Sequence, residues 1–180
     1  LDQVGFKGLG MDLSLAAETL VLAGQDVQAF AGINGPYLSD TDGDGDFSDE
    51  TPNDDAIGFA INDLDFALAM LSPTLGGGGA LPLNFFGLKA AADFAGLVGT
   101  DPFLTLNGQD LIFEFNGAFA DGVPLPGVYA DFSSLDGGGL SIPIGPDVES
   151  LTLDFDANYL RVGLTGELGR GRLLARREEH

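Results

Sequence analysis

The chain has 180 residues, of which 28 are acidic and 7 are Lys or Arg, giving a formal net charge of −21. A body this acidic repels nucleic acid and anionic membrane surfaces and attracts divalent cations. The absence of Cys excludes disulfides and thiolate metal sites, and a hydrophobic fraction of 44% with 14 Phe excludes a disordered polyanion. Only Lys7, Lys89 and Arg161 precede Gly169, so residues 1–169 hold 26 acids and 3 bases, or −23. The length suffices for a sizeable core, as one domain or two small repeats. No apolar run approaches the ~20 residues that a membrane-spanning helix needs. The chain opens at Leu1 in mid-pattern, with neither Met nor a signal peptide, as expected of an excised fragment.

Short alternating or apolar stretches at 4–22, 57–71, 88–98, 103–115, 128–132 and 151–164 predict strands, separated by Gly, Asn, Asp and Pro. The first leads into Gly24-Gln25-Asp26, read as a hairpin turn in which Gly supplies positive φ and Asp bonds local backbone. Residues 40–50 form a strongly acidic loop, taken up below. In 59–70 the alanines keep a helix as the alternative to a strand, and 88–98 shares that ambiguity. If 59–70 is a strand, Asp63 and Asp65 share one face, either solvated or as a second carboxylate shell for the loop. The glycines at 76–79 lack the Lys-Ser/Thr of a phosphate loop and read as a flexible connection. Phe85, Phe86, Phe113 and Phe115 read as core. Leu151, Leu153, Phe155, Ala157 and Tyr159 alternate with Thr152, Asp154, Asp156 and Asn158, the pattern of a half-buried antiparallel strand. Residues 169–180 carry Arg170, Arg172, Arg176 and Arg177 and break abruptly from this composition, as a non-native read-through or disordered tail does.

An internal repeat organises these strands. Leu20-Val-Leu-Ala-Gly-Gln-Asp-Val27 matches Leu104-Thr-Leu-Asn-Gly-Gln-Asp-Leu111 at a spacing of 84, and both lead to Asn-Gly, at Asn34-Gly35 and Asn116-Gly117. The expectation is an all-β fold of about two divergent repeats, 1–80 and 81–168, stacked as an elongated β-solenoid or β-roll, or alternatively as a β-sandwich. The acidic segment at 36–55 is an insertion in the first copy, since the equivalent 118–127 holds only Asp121 as an acid.

That segment reads Asp40-Thr41-Asp42-Gly43-Asp44-Gly45-Asp46-Phe47-Ser48-Asp49-Glu50. Alternating carboxylates repel one another unless a hard cation sits among them, so Asp40, Asp42, Asp44, Asp46, Asp49 and Glu50 are the candidate calcium ligands. The alternative is a solvated acidic loop. The Asp-x-Asp-x-Asp-Gly core resembles EF-hand, dockerin and thrombospondin type-3 calcium loops. That resemblance implies side-chain ligation by Asp40, Asp42 and Asp44, a sharp turn at Gly45, a backbone carbonyl ligand at Asp46 and an apolar eighth position at Phe47. The twelfth position, where those loops place a bidentate Glu, is Thr51, so Glu50, Asp49, Asp54 or Asp55 must close the site. Pro36 and Pro52 bracket the loop in place of flanking helices. The surrounding units, with Asp63-Leu-Asp-Phe-Ala-Leu-Ala and Ala95-Gly-Leu-Val-Gly before Leu-x-Leu strands, resemble repeats of very large bacterial secreted or surface proteins. This implies a calcium-loaded, adhesin-like extracellular module whose partners are calcium and neighbouring repeats of its parent.

Enzyme classes narrow by elimination. The only His is His180 in the tail, which removes imidazole zinc sites, Ser-His triads and His bases. Lys7 and Lys89 are possible Schiff-base residues, but nothing in their neighbourhood singles them out. A carboxylate glycosidase lacks a sugar platform, with no Trp and three Tyr. The remaining enzyme alternative is a metal-dependent phosphoester hydrolase, with a cation on the loop and Asp49 or Glu50 as base. A carbohydrate- or protein-binding adhesin unit is the third reading.

Overall fold

The computed structural model describes residues 1, 3–47, 49–76, 79–101, 104–146 and 149–170. Phe103, the middle of the glycine run at 77–78 and the tail from 171 lie outside them. The all-β expectation holds: strand is the dominant state, and among the described residues the one helical element is a 3₁₀ turn at Phe132–Ser134. The strands build a large antiparallel sheet. β1 (Val4–Gly8), β2 (Met11–Ile33), β3 (Ile57–Leu75), β4 (Gly79–Ala80), β5 (Asn84–Val98), β6 (Leu104–Ala120), β7 (Val123–Leu125), β8 (Tyr129–Asp131) and β11 (Tyr159–Arg170) form it in the order β11-β6-β5-β3-β2-β1-β8. In that sheet β4 pairs with β3 and β7 with β6. A separate hairpin joins β9 (Leu140–Pro143) to β10 (Ser150–Leu153), with Leu153 opposite Leu140. Both segments for which a helix was the alternative, 59–70 and 88–98, are strand. Their β-branched and aromatic residues, and the tertiary burial of their alanines, outweigh local helix propensity.

Two expectations are corrected. Gly24-Gln25-Asp26 and Gly108-Gln109-Asp110 are not hairpin turns; they lie inside β2 and β6. The positive φ falls on Asp26 (53°) and Asp110 (52°) rather than on glycine, and Asp63 in β3 matches them at 53°. A left-handed residue within a strand is one of the backbone states found at β-bulges, and the sheltered positions change parity on either side of it. In β2 the sheltered positions include Leu15, Ala17 and Thr19 before Asp26, then Gln28 and Phe30 after it. In β3 the buried position is Ala60 before Asp63 and Ala67, Ala69, Leu71 and Pro73 after it. The second correction concerns 151–164, which is not one strand: β10 ends at Leu153, residues 154–158 are irregular, and β11 begins at Tyr159. Leu153 and Phe155 are buried as the alternation requires, whereas Ala157 and Tyr159 are exposed.

The chain divides into two compact units that interleave in sequence, 1–25 with 65–91 and 112–163, and 26–64 with 92–111 and 164–180. The first holds the large core of Val4, Phe6, Leu71, Phe85, Phe132, Leu153 and Phe155. Phe6 and Phe85 meet at 4.5 Å between ring centroids. Gly87 leaves room for the Phe132 ring, since a Cβ there would stand 2.6 Å from Phe132 Cε2. Burying a ring of this size contributes about 1.5–3 kcal/mol. Asn116 is fully buried in the same unit; its amide donates to Ala130 O and Ala157 O, each at 2.8 Å, and Asn158 Nδ2 donates back to Asn116 O at 2.9 Å. These bonds fix the irregular 154–158 stretch. The second unit buries small side chains, Ala56, Ala60, Ala92, Ala95 and Val98. It carries the acidic loop. No helix among the described residues is long and apolar enough to cross a membrane.

Candidate metal centre

The loop leaves β2 after Ile33 and returns at Ile57. Asn53 makes most of the bonds at its neck, where its amide donates to Asn34 O (2.7 Å) and Pro36 O (3.2 Å). Its backbone N–H donates to Tyr37 O at 2.8 Å, and its side-chain oxygen accepts from Asp55 N at 3.0 Å. Asn34 Nδ2 reaches across to Asp55 O at 3.1 Å, and the Tyr37 ring stacks on Phe94 with centroids 6.4 Å apart. The sequence signal for this clamp is Pro52-Asn53-Asp54, an Asx-turn pattern that ligand spacing alone overlooks.

Beyond the neck the acids order the backbone. Asp40 accepts from Gly43 N through Oδ1 (2.6 Å) and from Gly45 N through Oδ2 (3.0 Å). Asp42 Oδ1 accepts from Asp44 N (3.2 Å), and Asp44 Oδ1 from Asp46 N (2.8 Å). Gly43 and Gly45 take φ of 81° and 85°, values at which a side chain is strained. The winding that results brings the Asp40 and Asp42 carboxylates close to each other.

Three of the six candidate ligands converge. Asp40, Asp42 and Glu50 each offer a carboxylate oxygen, and these oxygens all lie within 4.8 Å of one another. Two oxygens on one divalent cation stand at most about 4.8 Å apart, so the spacing is of the size such an ion could span. Two further features belong to Glu50. It occupies the eleventh position, one short of the usual closing Glu, and Thr41 holds it in place. Thr41 N donates to Oε1 (2.5 Å), and its hydroxyl lies 2.9 Å from Oε2 and 3.1 Å from Oε1. The role of Thr41 was not evident from spacing, because the second position carries no ligand in the calcium loops used for comparison.

The other candidates stand elsewhere. Asp44 is engaged with Asp46 N, and neither Asp46 nor Asp49 joins the converging group. Asp63 accepts from Gln28 Nε2 at 2.8 Å, which ties β3 to β2 rather than to the loop. Asp154 is exposed but paired with Lys89 Nζ at 2.6 Å, and that hydrogen bond holds its carboxyl below the usual range against the opposing effect of burial. Lys7 pairs with Asp131 at 2.6 Å. Burial pushes the Asp131 carboxyl up, but hydrogen bonds from Lys7 and Ser133 and the Lys7 charge together hold it below the ordinary value. Both lysines named as Schiff-base possibilities are thus engaged in ion pairs.

Three carboxylates this close repel by about 0.9 kcal/mol per pair even in bulk water. The backbone N–H groups and the Thr41 hydroxyl offset part of this, and a divalent cation would offset the rest. No protein-family model, curated protein or solved structure matches the chain.

Proposed function

We propose that this chain is a calcium-binding, calcium-stabilised β module of a large extracellular bacterial protein, working beside neighbouring repeats of its parent. The observation that carries the reading is the convergence of Asp40, Asp42 and Glu50 on one cation-sized centre, at the end of a neck that Asn53 closes. Three anions gathered by an ordered backbone favour a hard divalent cation, and carboxylate oxygens are the donors calcium prefers. The charge of −21 on a Cys-free chain agrees with stabilisation by cations rather than by disulfides outside the cell.

Thermal melting in EDTA and across a calcium titration tests this, with hydrolysis of an activated phosphoester followed in the same samples. Calcium at about 100 times its Kd stabilises by about 2.7 kcal/mol, which raises Tm by roughly 5–11 °C for a chain of this size. The expected result is that rise with no turnover. Metal-dependent turnover lost in Asp42→Ala would replace the structural role with a hydrolytic one. A melting curve indifferent to both EDTA and calcium would reject the calcium site.

A further inference from the structure

Within the first compact unit (1–25, 65–91 and 112–163) the sheet is apolar on both faces, and the core covers one of them. The covered face carries Ala67, Ala69 and Leu71 of β3, Phe85 of β5 and Ala118 of β6. Alternation sends their neighbours to the other face. From β3 these are Phe66, Leu68 and Met70, and from β5 Phe86 and Leu88. β6 adds Phe113, Phe115 and Phe119. All of them are only half-buried. Leu68, Phe86, Leu88, Phe115 and Phe119 line one shallow depression, in which Phe86 meets Phe119 edge-on at 5.3 Å between centroids.

The strands on either side extend this row. Ala17 and Ala23 of β2 pack on the core, so Leu20 and Leu22 take the opposite face. Arg161 of β11 meets Glu114 of β6 at 3.3 Å, and Glu114 shares its side of the strand with the buried Asn116 and Ala118. Leu160 and Val162 therefore point the other way, onto the row of Phe113 and Phe115. Leu20, Leu22, Leu160 and Val162 are 62%, 58%, 67% and 63% exposed. An antiparallel sheet with one face in water normally alternates apolar with polar side chains. Here β3, β5 and β6 place no charged residue on the second face within this unit, and Lys89 and Glu114 lie on the first. Polar groups appear only at its end, where Ser72 Oγ donates to Asn84 Oδ1 at 2.9 Å.

Area and charge together say what covers such a face. On about 150–250 Å² for an aromatic side chain and somewhat less for an aliphatic one, these residues leave roughly 600–700 Å² open. The largest patch on a typical monomer is about 300–600 Å². Two such faces in contact would remove roughly 1,200–1,400 Å² from water, which reaches the range of stable complexes. A chain of −21 repels its own copies, and a face free of charge is where two of them approach at least cost.

We propose that two copies of this chain pack these apolar faces against each other as the two layers of a β-sandwich. Sheets packed in this way lie about 10 Å apart, with their strands crossing at about 30°. The same patch serves both protomers, so the interface is isologous and assembly stops at the dimer.

Sedimentation equilibrium of the full chain in physiological salt, which screens repulsion between the acidic bodies, is expected to show monomer and dimer in exchange. Leu22→Glu and Leu160→Glu each put a charge on the face at a side chain that is exposed in the monomer. Each is expected to weaken the dimer at least tenfold while circular dichroism still shows a folded chain. Leu160→Ala removes area without adding charge and is expected to weaken it severalfold, which keeps the test open should a Glu variant fail to fold. Leu9→Glu adds the same charge at the β1–β2 turn, where Leu9 is 74% exposed, and is expected to leave the dimer intact. A parent chain that stays monomeric at millimolar concentration overturns the proposal, as does an open series of higher oligomers. So does a dimer indifferent to the substitutions at 22 and 160, or one that Leu9→Glu disrupts equally. A monomer that floats with neutral phosphatidylcholine vesicles would assign the face to lipid instead.

Discussion

Glu50→Gln separates a calcium ligand from an ordinary loop acid, because its effect should depend on the metal. Glu50 belongs to two of the three carboxylate pairs within 4.8 Å. Each pair repels by about 0.9 kcal/mol in water, and physiological salt roughly halves that. Neutralising Glu50 therefore relieves about 1 kcal/mol in the metal-free chain. Against this, the amide keeps one oxygen for Thr41 N and weakens the bond from the Thr41 hydroxyl, a loss of about 0.5–1.5 kcal/mol. The two effects cancel to within about 0.5 kcal/mol, so in EDTA the variant should melt within roughly 2 °C of the parent. With calcium the balance changes, since one of three anionic ligands is gone. A tenfold weaker affinity corresponds to about 1.4 kcal/mol, or a Tm roughly 3–6 °C below the parent at calcium well above Kd. Paired scanning-calorimetry runs in EDTA and in calcium measure both differences, with Asp49→Asn as the control that should leave the calcium response intact. Equal shifts with and without calcium would refute the reasoning, as would an Asp49→Asn variant that loses the response while Glu50→Gln keeps it.

Other expectations follow from the same geometry. Asn116→Ala removes the bonds to Ala130 O and Ala157 O and leaves a buried carbonyl without a donor, so urea unfolding should show a loss of about 2–4 kcal/mol. Asn53→Ala opens the loop neck; it should cost about 1–2 kcal/mol in the same assay and weaken calcium binding measured by calorimetric titration. Asp131 is held below its ordinary pKa when folded, so the stability it contributes is complete above about pH 4 and is lost as pH falls through the lowered value. In Lys7→Met burial becomes the main influence on Asp131, and circular dichroism should show acid unfolding beginning at higher pH than in the parent; an unchanged acid limb would count against the pair.

The all-β class was readable from the sequence because Gly, Asn and Pro punctuate short apolar runs and those runs became strands. What misled was phase. A repeated Gly-Gln-Asp looks like a turn by composition, and only the backbone shows that Asp26 and Asp110 take the left-handed conformation in mid-strand. Once the inward face changes parity at Asp26 and Asp63, alternation measured across the whole strand averages out, so β2 and β3 appear shorter or more helical than they are. The break at 154–158 escaped notice for a related reason: its alternation is perfect on paper, but Asn116 bonds to Ala157 O while Phe155 O accepts from Phe132 N and Ser133 N. Those are long-range bonds that no local pattern encodes. At the loop, the three acids that converge, Asp40, Asp42 and Glu50, were among the six that spacing singled out, and Asp44, Asp46 and Asp49 are not in that group. The part played by Thr41 was invisible, because it depends on how far the chain curls between 41 and 50.

The Asn53 neck has a consequence for how such a loop can travel between proteins. Its ends are pinned to each other by bonds among Asn34, Pro36, Tyr37, Asn53 and Asp55, all within the segment itself. The entropy of bringing the two ends together is met locally, so a host sheet has only to offer two adjacent strand ends. A cassette of this kind can be exchanged, duplicated or deleted at a strand connection while the strands on either side keep their pairing.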